Sequence, residues 1–507
     1  MLVLAVLVVI IDSTILALAL KVIQEDLHAS QSELAWAIDA YTLVFAALLF
    51  TYGVLGDRWG RKKALLFGLC LFGVGSVLAA MAPSPAWLIG WRALMAVGGA
   101  AVLPSTLSII SNVFEPLERA KAIGIWAGAT GLAVVIGPLA GGVLLNHFWW
   151  GSVFLVNVPI VVLAVAGIAW LVPESKDPDP GHLDLTGVVL SFVGLFGLVY
   201  GLIEGGAKND WGSPAILGPL VGGLAVLALW VVLEARSARP SLDVSLFRSP
   251  AFAAASVVIT LATFTAVGST FFISFYLQLT RGLDPLHAGL SFLPAAAAIL
   301  FFSPRSVALV RRYGGRVVVS AGLLLVAVSM GILALVDEHT PIVVVLFAFL
   351  LQGIGMAHVT APATESMMSV LPREKSGAGS AVTSTLRQVG GALGVAIMGS
   401  VLSTTYRSGI HEHTVALPPD GRDQASESIG STLVAAAQLP GTARDQLTRD
   451  AFDAFHSAMQ VSAAASAAVV LLTAFVAARF LPGRVVSTAA SVPLSTSTES
   501  DATPAAH

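Results

Sequence analysis

Apolar runs of about 20 residues recur along nearly the whole chain, each close to the length a helix needs to cross the hydrocarbon core of a bilayer. Fourteen such windows are legible, at 2–21, 34–54, 64–82, 86–112, 122–146, 153–172, 185–203, 215–234, 252–278, 287–310, 317–336, 341–368, 378–404 and 458–481. A soluble core could not hide them, because 56% of the residues are hydrophobic and only 11% are charged. The expected fold class is therefore an all-α, multi-pass membrane protein with fourteen spans. The first window carries Asp12 and no small-residue cleavage site, so it reads as a span and not a removed signal. The single cysteine, Cys70, lies in an apolar run and excludes a disulfide framework or a cysteine metal site.

The connectors set the orientation. With the N-terminus inside, the short inner loops hold fifteen Lys and Arg residues, and the outer ones hold three, Lys21, Lys208 and Arg281. That bias places both termini in the cytoplasm, the segment 405–457 outside, and the Ser/Thr/Ala/Pro-rich tail 483–507 inside as a disordered segment. Ser426–Leu439 and Ala443–Met459 in the outer segment read as two amphipathic helices, a hairpin over the outer mouth. The densest inner loop, Gly53–Lys63, packs Asp57, Arg58, Arg61, Lys62 and Lys63 into a turn between spans two and three. Its basic residues anchor the inner surface. Asp57 adds nothing to such anchoring. It is placed to cap the third span and to face cations or a helix dipole across an interface.

That loop has a worn copy. Asp57-Arg58-Trp59-Gly60 aligns with Arg311-Arg312-Tyr313-Gly314, and Pro116-Leu117-Glu118-Arg119 aligns with Pro372-Arg373-Glu374-Lys375 at nearly the same offset. The duplication divides the chain into a six-span bundle over 1–172, a linker with two inserted spans over 173–248, and a second six-span bundle over 249–482. Parallel repeats of this kind place a substrate site between the halves, near the membrane midplane.

With these features in view, the chain resembles the major facilitator superfamily, and within it the fourteen-helix drug:proton antiporters. The loop Gly53–Lys63 matches the signature between helices 2 and 3, with Gly53, Asp57, Arg58, Gly60 and Arg61 in its positions. Ile11-Asp12-Ser13-Thr14-Ile15 resembles the first-helix motif, and Arg92-Ala93-Leu94-Met95-Ala96-Val97-Gly98 the arginine motif of helix 4, with Met95 and Ala96 in place of the usual Gln and Gly. Gly124 and Gly137-Pro138-Leu139-Ala140-Gly141-Gly142 resemble the helix 5 motif that marks antiporters. Phe154–Pro159 and Arg387-Gln388-Val389-Gly390-Gly391 also fit. The resemblance implies proton-coupled efflux of lipophilic, cationic drugs across the cytoplasmic membrane by a monomer that needs no cofactor and binds no nucleic acid. It also implies gating by the hinge loop and by Gly137, Pro138, Gly141 and Gly142.

The residues themselves supply the chemistry. Ionisable groups inside a bilayer cost a few kcal/mol on insertion scales and are functional candidates for that reason. Asp12 lies mid-span with Arg92 as its natural counter-ion. Desolvation favours the neutral acid and the nearby cation favours the carboxylate, a balance that suits proton loading. A fixed bridge holding two helices is the plainer alternative. Asp39 can hold a cation or a second proton, or simply meet water at the outer mouth. Glu365 can serve the cavity or pair with the basic cluster at Arg305–Arg312. Trp36, Tyr41, Phe271, Phe272, Phe275, Tyr276 and Met356 suit an apolar, cation-tolerant cavity, although such residues in a membrane helix more often serve plain packing or interface anchoring.

Other classes fit less well. No Gly-x4-Gly-Lys-Ser/Thr phosphate loop occurs, which disfavours an ATP-driven pump. A membrane enzyme would need a metal cluster or a nucleophile–base pair in the spans, yet of ten histidines only His358 lies in a span core. The remaining alternative is a proton-coupled transporter of another small molecule, an endogenous metabolite exported or a solute taken up.

Overall fold

The computed structural model describes residues 1–29, 31–176, 184–208, 210–237, 244–337, 339–371, 376–417, 422, 426 and 428–483. The tail 484–507 and residues 372–375 of the second repeated loop lie outside them. The first half contains α1 (Leu2–Leu27), α2 (Gln31–Trp59), α3 (Arg61–Ala80), α4 (Pro85–Gly99), α5 (Val102–Val113), α6 (Pro116–His147), α7 (Ser152–Leu155) and α8 (Asn157–Leu171). Two inserted helices follow, α9 (Leu185–Lys208) and α10 (Pro214–Arg236). The second half contains α11 (Pro250–Phe275), which continues as a π turn over Tyr276–Thr280, then α12 (Pro285–Leu290), α13 (Leu293–Tyr313), α14 (Gly315–Leu333), α15 (Ile342–Ser369) and α16 (Ser376–Ile410). A short α17 (Ile429–Ala436) and the 40-residue α18 (Gly441–Phe480) complete it.

Every one of the fourteen expected spans is occupied by helix. By length and composition, twelve helical segments of the described residues can cross a membrane. The first and fifth expected spans, filled by the 26-residue α1 and the 32-residue α6, are not among those twelve. Prolines explain two of the breaks. Pro159 and Pro294 offer no N–H to the carbonyl one turn earlier, and the chain interrupts its helix just before each, at Val156 and at Ser291–Phe292.

The two halves repeat one packing scheme. Helix α1 packs on α6 as α11 packs on α16, α2 on α4 as α13 on α15, and α3 on α8 as α14 on α18. The hinges repeat too. Gly60 and Gly314 both adopt positive φ, 114° and 86°, between consecutive helices. Each hinge is tied to the chain that leaves its bundle: Arg61 N–H donates to the Ser175 carbonyl and Arg316 N–H to that of Pro482. A side chain at Gly60 would be strained in φ and would also meet the Glu174 carboxylate. Gly60→Val is thus expected to destabilise the folded protein by about 1–3 kcal/mol. The control is Gly90→Ala, where a methyl group has open space. Melting in detergent checks the pair, with a drop for the first and no change for the second.

The outer segment departs from expectation. The second amphipathic stretch is not a separate helix but the N-terminal extension of α18, because no Gly or Pro interrupts the chain between Gly441 and Pro482. The first shrinks to α17, which packs on α18 and is tied to α16 by Tyr406 Oη and Thr432 Oγ1, 2.6 Å apart.

Candidate functional site: a cavity between the halves

At the hinge end of the bundle the halves are closed against each other. Gly53 lies against Gly377 and Ala381 of α16, an approach that leaves no room for a Cβ. One turn on, Asp57 accepts the N–H groups of Gly377 and Ala378, both at 2.9 Å, at the start of α16. A carboxylate there meets unpaired backbone donors and the positive end of a helix. Arg61, fully buried, holds the same carboxylate from α3 at 2.9 and 2.5 Å. The acid therefore faces a helix terminus across the interface and does not cap α3. That position belongs to Glu174, whose Oε1 accepts the Lys62 N–H at 3.1 Å. Ser108 and Ser376 meet at 3.0 Å, and the Ser380 hydroxyl donates to the Pro104 carbonyl at 2.7 Å.

A second clasp was not legible in the chain. Arg119, at the start of α6, forms a 2.8 Å ion pair with Glu365 of α15 across the halves. Glu365 thus pairs neither with the Arg305–Arg312 cluster nor with a cavity. Further along α6, Gly124, Gly128 and Gly131 lie against Pro304, Leu300 and Ile299 of α13. Gly137 faces the other way, against Ile11 and Thr14 of α1, where a Cβ would strike the threonine hydroxyl. Gly141 is buried, Gly142 looks toward Leu286 at an ordinary distance, and Pro138 sits within a helix unbroken from Pro116 to His147.

Away from the hinge end lies a cavity of about 1000 Å³. Its walls come from α2 (Asp39, Thr42), the inserted α9 (Leu202, Ile203), α11 (Phe271, Phe275) and α16 (Arg387, Gln388), with Ile429 of α17 and Phe455 of α18 at the far end. Helix α9 packs on both α2 and α16, so the insertion lies along the seam between the halves. Asp39 interacts electrostatically with Glu204 of α9.

Asp12 and Arg92 stand apart from this cavity, both fully buried, joined Oδ2 to Nη1 at 2.5 Å. Asn157 donates to the other carboxylate oxygen at 2.9 Å. Arg92 also donates from Nε to the Ala37 carbonyl of α2, and its guanidinium lies 4.2 Å from the centre of the Tyr41 ring.

Of the residues expected in the cavity, Asp39, Phe271 and Phe275 line it, while Phe272 is buried in the core. Tyr41 is buried on the Arg92 side of α2, since two residues along a helix turn about 200°. Tyr276, next to Phe275, is buried and donates to the Asp337 carbonyl. Met356 is buried in the core of the halves, and Trp36 sits at the surface beside Tyr200. Arg387, Gln388, Thr42 and the α9 wall were not nominated. A signal for one wall was present: Thr263, Val267, Phe271, Phe275 and Leu279 recur every four residues along α11 and its π turn, and all five line the cavity.

Two six-helix halves of equivalent packing, closed at one end over buried ionisable groups and parted by a cavity, define a membrane transporter. The chain belongs to the Major Facilitator Superfamily, whose model matches residues 2–395. It is 38% identical to "Multidrug efflux pump LfrA" of Mycolicibacterium smegmatis, over 93% of this chain and 94% of that one. It is 32% identical to "Tetracenomycin C resistance and export protein" of Streptomyces glaucescens, over 93% and 89%. Among solved structures, the proton:xylose symporter XylE superposes with a TM-score of 0.61 at 14% identity, covering 95% of each chain, a likeness of fold.

Proposed function

We propose that this protein exports lipophilic, cationic drugs across the cytoplasmic membrane in exchange for protons, by alternating access and as a monomer. The charge asymmetry of the loops supports an orientation with the hinge and both termini in the cytoplasm. The conformation described, closed at the hinge end, is then outward-facing. The resistance and efflux proteins similar to this chain support the drug substrate.

The observation that carries the coupling is the link between pair and cavity. Arg92 holds Asp12 with one nitrogen and the Ala37 carbonyl with another, and Asp39 follows two residues later on the cavity wall. A proton on Asp12 removes the charge that fixes Arg92. Arg92 then shifts its hold on α2, and the cavity wall moves with it. The Asp57 clasp opens in the inward-facing half of the cycle, where the proton leaves and drug enters beside Asp39.

Proteoliposomes test the reading. An imposed pH gradient should drive a fluorescent lipophilic cation uphill out of the compartment on the hinge side; no gradient-dependent flux would sink the antiport. In the same system Asp39→Asn is expected to weaken binding of a monovalent lipophilic cation about tenfold, the scale of one partly buried charge pair. Fluorescence titration reads it. Unchanged affinity would remove Asp39 from the site.

A further inference from the structure

The two seams between the halves are built alike and charged differently. Helix α2 meets α16 at one seam, and α6 meets α13 at the other. The repeat that aligns Asp57 with Arg311 also aligns Gly377 with Lys121, each five residues after its proline, Pro372 or Pro116. At the first seam Asp57 accepts the Gly377 N–H at 2.9 Å. At the second, basic residues stand in both positions, and the acid of the first seam has no counterpart.

Helix geometry turns two cations onto one flank of the second seam. Gly124 lies against Pro304 and Gly128 against Leu300, so α6 and α13 run antiparallel. In an antiparallel pair, equal turns about each axis lead to the same flank. Lys121 and Ile125 lie about 60° and 100° around α6 from Gly124, and Phe301 and Arg305 lie about the same angles around α13 from Pro304. All four are exposed. Ile125 and Phe301, at 43% and 53%, mark this flank as the one that meets lipid. Arg305 stands eight residues before Tyr313, about 12 Å into the span. Its Nη1 donates to the Phe301 carbonyl at 2.6 Å, and its guanidinium lies 3.5 Å from the centre of the Phe301 ring. The side chain is thus folded toward the membrane interior and not stretched to the surface. Among the described residues neither cation has a carboxylate partner: Glu118, one turn before Lys121, forms no ion pair, and Glu365 is held by Arg119. Anchoring at the membrane surface accounts for Lys121 alone. It does not account for a lipid-facing arginine at this depth, which is costly unless an anion lies beside it.

We infer that this flank binds an anionic phospholipid of the leaflet at the hinge end. The phosphate sits between Lys121 of the first half and Arg305 of the second, and the acyl chains run along Ile125 and Phe301. Basic pockets between membrane helices hold lipid head groups in this way. Arg305 offers the phosphate oxygens a planar fork of donors, and Lys121 offers a point charge. The lipid supplies the anion that Asp57 supplies at the first seam. Because it joins the two halves, it favours the conformation closed at the hinge end. A phosphate carried on acyl chains is preferred to a free one, since Arg305 lies at a depth that a soluble ion reaches only by losing its water. None of this depends on what the cavity carries.

Native mass spectrometry of the full-length protein reads the preference, using micelles that hold equal amounts of phosphatidylglycerol and phosphatidylcholine with the same chains. The wild type is expected to retain phosphatidylglycerol about tenfold over phosphatidylcholine. Lys121→Gln combined with Arg305→Gln should bring the ratio to about one, and Lys121→Arg combined with Arg305→Lys should keep most of it. Each single Gln variant should at least halve the preference, which keeps the test open if the double variant inserts poorly. Equal retention in the wild type, or a preference that survives both Gln substitutions, would overturn the site. Glycerol phosphate, the head group without chains, should leave the ratio unchanged. A ratio abolished by glycerol phosphate or by inorganic phosphate would make this a site for a soluble anion and refute the lipid. Spin labels at Glu115 and Tyr313, in a Cys70→Ser background, read the seam at the hinge end. In nanodiscs, phosphatidylglycerol should raise the short-distance population several-fold over phosphatidylcholine in the wild type and leave the double Gln variant unchanged. Identical distances in the two lipids would overturn the bridging of the halves.

Discussion

Asp12→Asn is expected to abolish uphill, proton-driven export, to background or at least a hundredfold below wild type, while downhill dye exchange stays within about threefold. Asparagine is isosteric with the acid and still offers one oxygen to Arg92, but it neither binds nor releases a proton. The environment makes the effect large. Asp12 and Arg92 are fully buried, and among the described residues Asn157 is the other polar side chain bonded to the carboxylate. In such a site the charge state of one carboxylate decides where the guanidinium goes, since water cannot substitute for it. Leaving a buried arginine without its acid destabilises a fold by about 3–5 kcal/mol, so expression, membrane insertion and melting accompany the assay. A properly inserted mutant that still concentrates dye against its gradient would show that Asp12 is not the coupling site. The fixed-bridge reading would then hold, and the mutant would be less stable but fully coupled.

The fold was legible because a bilayer imposes a length scale on every segment. Each apolar window is occupied by helix, twelve of the helical segments among the described residues being long and apolar enough to span a membrane, and loop charge and the worn repeat organise them. Gly60 and Gly314 even share the backbone conformation that their alignment implies. The site was less legible because rotation about each helix axis is hidden where a helix is apolar all round. Along α2, Asp39 faces the cavity and Tyr41 faces Arg92, a difference that residue type does not reveal. Glu365 shows the same limit at longer range. Its partner Arg119 is 246 positions away in the other half, and only the docking of α6 on α15 brings them together. Arg387 stands in a motif by its position in the chain, and its place on the cavity wall emerges only when its neighbours are known.

Asp57→Asn should slow turnover by about tenfold or more and leave drug affinity within twofold. The carboxylate takes four donors at once: the Gly377 and Ala378 N–H groups and two nitrogens of Arg61. An asparagine offers one oxygen in place of two and turns an N–H2 toward either the guanidinium or the helix terminus, both of them donors. Hydrogen bonds to a charged group contribute about 1.5–3 kcal/mol each. Losing part of this set moves the inward-to-outward equilibrium by one to two powers of ten, because each 1.4 kcal/mol is tenfold. The second half supplies no substitute, since its hinge, Arg311–Gly314, keeps the basic residues and lacks the acid. Among the described residues the Arg119–Glu365 pair is a second charged clasp at this end, beside the neutral Ser108–Ser376 and Ser380–Pro104 contacts. Glu365→Gln alone should therefore slow turnover less than Asp57→Asn, and the double mutant should rest open at the hinge end. Spin labels on α2 and α16 near Gly53 and Ala381 would read that opening as a longer distance. Normal turnover with weakened binding in Asp57→Asn, or an unchanged label distance in the double mutant, would show that these contacts close over the cavity without controlling it.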